Sequence, residues 1–187
     1  EHGIEIIDIS DPTSPTSVGR LADDGSKLLN KSVDVAIWYD TEQDHFGGGG
    51  TYAVVAGSGD DGIAIIDIST PASPVYVGEL EDGTHTERCS AANGERCLDG
   101  PTSVAVETIG GLTYAFVTSK DERAVTVIDI TTPSNPTIVA MMYDDNDKML
   151  SGAKAVSIAT IGGSTYAVVS GWSENGIEII KIMHSYN

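Results

Sequence analysis

The side chains best placed to do chemistry in this chain are acids. Asp144, Asp145, Asn146 and Asp147 form the densest run, a set of carboxylate and amide oxygens of the kind that a hard cation such as Ca²⁺ takes from turns. Further acids stand at Asp23-Asp24, Asp60-Asp61, Glu81-Asp82, Asp121-Glu122 and Glu174-Asn175. None completes the alternating Asp/Asn ladder of an EF-hand, so a solvated acidic surface competes with metal binding as the reading of these positions. Asp8, Asp67 and Asp129 differ in kind, because each precedes a Ser or Thr and a Pro corner. A short carboxylate there accepts backbone N–H bonds and fixes the turn, which makes these three structural residues.

Cys89 and Cys97 are the chain's two cysteines, eight positions apart around Asn93-Gly94. That spacing permits a disulfide, which would tether a loop too polar to be held by burial and would place the protein in an oxidising compartment, extracellular or at the cell surface. Zinc is the competing reading, but His85 is the single neighbouring histidine and structural zinc takes four ligands. His2, His45, His85 and His184 form no metal-ligand spacing, and no Gly-x-Ser-x-Gly elbow or phosphate-cradling loop occurs. No catalytic residue is therefore nominated. Trp38 and Trp172 are candidates for stacking on a sugar ring, each in a single copy.

What positions these residues is an internal repeat. Gly3-Ile4-Glu5-Ile6-Ile7-Asp8-Ile9-Ser10 returns as Gly62-Ile63-Ala64-Ile65-Ile66-Asp67-Ile68-Ser69, again as Ala124-Val125-Thr126-Val127-Ile128-Asp129-Ile130-Thr131, and a fourth time from Gly176 to Ile182 with Lys181 in the place of the aspartate. Tyr-Ala pairs at 52, 114 and 166 and prolines at 15, 74 and 136 keep step. Each copy is rich in β-branched and aromatic residues and is bounded by Gly, Pro, Asp or Asn, which predicts four short strands per repeat and no helix. Strands are expected over 4–9, 63–68, 125–130 and 177–182, and the near-continuous apolar runs at 4–9 and 63–68 predict cover on both faces. Four-stranded sheets repeated in this way define an all-β chain built as β-propeller blades.

The pattern from Gly62 to Pro74, nearly repeated from Gly3 to Pro15, resembles the LVIVD-type β-propeller repeat of bacterial and archaeal secreted and surface proteins. The copies exceed that family's usual length at 38–51 and 82–100. Approximate repeats are 1–21 (partial), 22–80, 81–142 and 143–187 (partial), all within one propeller segment spanning 1–187. Two strands, two sets of four and three more are expected. Closed propellers carry about four to eight blades, so the chain is expected to be joined to other blades of the same polypeptide or to further copies of itself.

Composition closes off several partners. With 10 Lys+Arg against 28 Asp+Glu the net charge is −18, which opposes binding to nucleic acid or to an anionic membrane surface. No apolar run approaches the roughly 20 residues of a membrane-spanning helix. The resulting expectation is an extracellular binding or structural module: a cell-surface scaffold, an adhesion unit or a subunit of an assembly. A Ca²⁺-dependent propeller hydrolase acting at the acidic face and a carbohydrate-binding module are the alternatives.

Overall fold

Strand-forming residues alternate with Gly-, Pro- and Asp-rich corners, and the chain folds as consecutive antiparallel sheets. The computed structural model describes residues 2–40, 49–85, 89–90, 97–145 and 147–183. The first sheet pairs β1 (Gly3–Asp8) with β2 (Thr16–Ala22). The second runs in order through β3 (Ser32–Tyr39), β4 (Thr51–Gly57), β5 (Gly62–Asp67) and β6 (Val75–Glu81). A two-residue ribbon, β7 (Thr84–His85) with β8 (Cys89–Ser90), interrupts the succession. The third full sheet is β9 (Pro101–Ile109), β10 (Leu112–Ser119), β11 (Ala124–Asp129) and β12 (Thr137–Tyr143), and the last holds β13 (Ala153–Ile161), β14 (Ser164–Gly171) and β15 (Gly176–Ile182). No helix occurs among the described residues. The expected count of two, four, four and three strands holds for the blades, whereas the ribbon inside 82–100 was not legible in the sequence.

Register repeats as faithfully as sequence. The third and fourth strands of each blade slip at one equivalent place, between Ile6/Ile7, Ile65/Ile66 and Val127/Ile128, so Val18, Val77 and Val139 are the extra residues of three matching bulges. Such a bulge increases local twist and lets the outer strand wrap the edge of the next sheet. Just beyond it stand Gly19 and Gly78. A Cβ at Gly19 would collide with the Pro71 carbonyl, and one at Gly78 with the Pro133 carbonyl. Glycine therefore lets the Pro corner of each succeeding blade rest on the outer strand before it. Ala140 holds the third equivalent place.

Three cores lie between sheets. Leu29, Val55, Ala64 and Ile66 meet Ile4 and Leu21 at the first junction. Ile63, Ile65, Val54 and Leu80 meet Leu98, Val104, Ala115 and Ile128 at the second, and Phe116 and Val125 meet Leu150, Val156, Ala167 and Val169 at the third. Full burial of a side chain such as Ile63 or Ile65 contributes about 1.5–3 kcal/mol relative to exposure. Cover on both faces holds for 63–68, where Ile63 to Ile66 are fully buried. For 4–9 it does not: Ile7 is 51% and Ile9 67% exposed, because among the described residues no strand lies beside β1 on its inner edge and no sheet lies behind it.

Candidate functional site

The loops that carry the chain from one blade into the next lie against the β4–β5, β10–β11 and β14–β15 turns, and most of the acids gather there. Each loop drops one leucine into a junction: Leu29, Leu98 and Leu150 are all fully buried. A loop that enters the core must satisfy its amides, and carboxylates do so. Asp60 accepts from the Asn30 N–H at 2.8 Å and Glu174 from the equivalent Ser151 N–H at 3.1 Å. One position before each leucine, the amide finds three different acceptors. Leu28 N–H donates to Tyr76 Oη at 3.0 Å, Cys97 N–H to Asp82 Oδ1 at 2.7 Å and Met149 N–H to Glu178 Oε2 at 3.0 Å. Asp61 reaches across to the next loop and accepts from Gly100 N–H at 3.0 Å. Burial, aided by its hydrogen bond to Glu79, holds the Tyr76 phenol protonated well above the ordinary tyrosine range.

The Asp144 to Asp147 run is divided among neighbouring cations and turns. Asp144 pairs with Arg123 at 3.5 Å, Asp145 pairs with Lys148, and Asp147 N–H donates to Asp145 Oδ1 at 3.3 Å; Asn146 lies outside the described residues. The Lys148 hydrogen bond holds the Asp145 carboxyl below its usual range. Among the described residues no three His, Cys, Asp or Glu side chains are grouped as metal ligands.

At the corners, Asp8 accepts from the Ser10 amide at 2.8 Å and its hydroxyl at 2.6 Å, Asp67 accepts from Ser69 N–H at 2.8 Å, and Asp129 accepts from Thr131 N–H at 2.9 Å. The hydroxyl of the same corner residue acts in turn: Ser69 Oγ accepts from Thr51 N–H and Thr131 Oγ1 from Thr113 N–H, both at 2.9 Å. Lys181 and Met183 occupy these two places in the last blade.

Trp38 is 7% exposed and its ring stacks on Tyr52 with centroids 4.9 Å apart, so its face is turned to the core. Trp172, on the β14–β15 turn, is 76% exposed. Cys97 is fully buried and its carbonyl accepts from Thr126 Oγ1 at 2.5 Å. The Cys89 side chain, and with it the expected bond, lies outside the described residues.

Sequence reasoning missed one site of contact. Asp34, near the start of the inner strand β3, accepts from the Ser103 hydroxyl at 2.6 Å and the Val104 amide at 2.9 Å on β9. Ser103 Oγ in turn accepts from Val156 N–H on β13 at 3.4 Å. Asp34 and Ser103 are equivalent positions, and a short polar residue inside an apolar strand was the available signal.

The other notable space is a cavity of about 550 Å³ between the third and fourth blades, lined by Tyr114, Phe116, Val127, Ala140, Met142 and Ile180 among others. Apolar exposure is concentrated at the two ends of the succession. Ile177 and Ile179 on β15 are 60% and 57% exposed, and Val33, Val35 and Ile37 on β3 are 49%, 52% and 54% exposed.

Fold and site together define an arc of a β-propeller whose acids serve largely as anchors for backbone amides. The chain carries the LVIVD repeat, whose family model matches at residues 1–23, 49–82 and 110–144. No curated protein matches the sequence. Among solved structures, the GH32 beta-fructofuranosidase BmSUC1 of Bombyx mori is similar at 14% identity with a TM-score of 0.41. The similarity covers 97% of this chain and 44% of that one, so the chain spans less than half of its length.

Proposed function

We propose that this chain is a binding or structural module of an extracellular or cell-surface assembly, working through uncovered sheet surfaces. The observation that carries the reading is a contrast between equivalent residues. Ile63 and Ile65 on β5 are fully buried under the following blade, whereas Ile177 and Ile179 at the same places on β15 are 60% and 57% exposed. An apolar face of that kind, on a strand with no outer neighbour among the described residues, favours addition of another sheet. The extracellular setting rests on a Cys89–Cys97 bond, which would persist only in an oxidising compartment.

The test is the native mass and unfolding behaviour of the 187-residue protein. Self-association or marginal stability is the expected outcome. A monodisperse 19.5 kDa particle that unfolds cooperatively at high temperature would show that the open faces need no cover, and would overturn the reading.

A further inference from the structure

We propose that Asn30 is an acceptor for an N-linked oligosaccharide, on the loop that enters the second blade. The inference rests on the extracellular reading above and names a modification that such a setting permits.

The first argument is the triplet. Asn30-Lys31-Ser32 has the asparagine, free middle position and hydroxyl of a glycan acceptor. It occurs once in the chain, because Asn135-Pro136-Thr137 has the same spacing but carries proline in the middle, which bars transfer. In the transfer, the Asn30 amide nitrogen loses a proton and bonds to the anomeric carbon of an oligosaccharide carried on a polyprenyl phosphate or pyrophosphate. The bond from that carbon to the phosphate oxygen breaks, and the lipid phosphate leaves. Three residues are a short signal, so the case turns on what the fold does with them.

The fold holds the Asn30 backbone and leaves its side chain without a role. Asn30 N–H donates to Asp60 Oδ2 at 2.8 Å, its carbonyl accepts from Gly59 N–H at 3.0 Å, and the Lys31 carbonyl accepts from Ser58 N–H at 3.2 Å. Ser151 and Gly152 make the same three bonds in the last blade, so none of them needs an asparagine. The carboxamide itself has one hydrogen bond among the described residues, from Nδ2 to the Gly59 carbonyl at 3.5 Å, well beyond the usual length. Lys31 and Ser32 are both exposed. Asp99 and Ser151, each behind a complete four-stranded blade, are half-buried as Asn30 is, so its accessibility is a property of this loop position.

The third argument is room. The residue facing the amide is Gly59, itself exposed, and a Cβ there would lie 2.7 Å from both Asn30 Cγ and Nδ2. Asp121 and Ser173 stand at the equivalent turn positions of the other two blades, opposite Asp99 and Ser151. The branched amide is therefore matched with the one turn of the three that carries no side chain at that position. Space above an exposed glycine is where the first sugar on Nδ2 can sit with the blade unchanged.

The experiment directs the full 187-residue chain into a eukaryotic secretory pathway and measures the mass of all the chain recovered, from cells and medium together. A glycan on Asn30 is expected, released by peptide N-glycosidase with conversion of the asparagine to aspartate. The whole mass increment should be lost in both Asn30→Gln and Ser32→Ala. Because Ser32→Ala keeps the asparagine, an increment that survives in it overturns the assignment to this triplet. An unmodified Asn30 in chains that show no reactive thiol overturns the inference and leaves the extracellular reading standing. An unmodified Asn30 in chains with two reactive thiols overturns the inference and removes the support for that reading as well, whereas a glycan on such chains upholds the acceptor alone.

Discussion

The Asp34 carboxylate accepts a 2.6 Å hydrogen bond from Ser103, a residue at the equivalent place in the following blade. The same oxygen takes the Val104 amide, so one side chain ties two inner strands together. Replacing Asp34 by Ala leaves a buried hydroxyl and a strand amide without this acceptor, and should cost about 1–3 kcal/mol. Urea unfolding measures it; a midpoint and slope equal to those of the parent would show that the tie carries no weight.

Acid should destabilise the fold before it affects the cores. Hydrogen bonds from Ser10, Thr13, Lys27 and Lys148 hold the carboxyls of Asp8, Asp11, Asp24 and Asp145 below their unfolded values. A depressed folded pKa means that the unfolded chain binds protons first. The stability these groups give is present above about pH 4 and lost progressively below it. Tyr76 has the opposite sign: its raised pKa gives stability present below about pH 10 and lost above it. Melting temperature against pH should therefore fall at both ends, and a curve flat from about pH 5 down to about pH 2 would contradict the acid half.

Gly78→Ala should shift the second junction, because the added methyl meets the Pro133 carbonyl, which is backbone and cannot rotate away. About 1–3 kcal/mol is expected, the usual cost of overpacking. Ala140→Gly tests the same contact in reverse and should be far milder. Equal melting temperatures for Gly78→Ala and the parent would mean that the Pro corner is not seated as described.

Cys89 and Cys97 should show no reactive thiol when the protein is unfolded without reductant. Reduction should then lower the melting temperature, since the bond closes a loop that is otherwise polar. Two titratable thiols would remove the main support for an extracellular location.

The strands were legible because β-branched residues recur in step with Tyr-Ala and Pro landmarks, a signal present in the residues themselves. Exposure was not. Runs 4–9 and 63–68 are nearly the same sequence, yet Ile66 is fully buried and Ile7 is 51% exposed, because cover comes from neighbouring sheets that a strand's own residues do not encode. The anchoring role of Asp60 and Glu174 was hidden for a related reason: the amides they accept belong to loops of unequal length, so no fixed spacing marks the pair. Leu29, Leu98 and Leu150 escaped notice because they lie outside the strands. Trp38 and Trp172 look alike in sequence, and cross-strand pairing with Tyr52 is what turns the first inward.

The long connection between the second and third blades is fastened at its far end by a buried residue. Cys97 is enclosed, its amide and that of Leu98 are both held by Asp82, and its carbonyl is held by Thr126. Asp82 stands at the near end of the same connection, so one carboxylate clamps the root of the loop on both sides. Removing the Asp82 carboxylate would therefore release two loop amides at once beside the second junction.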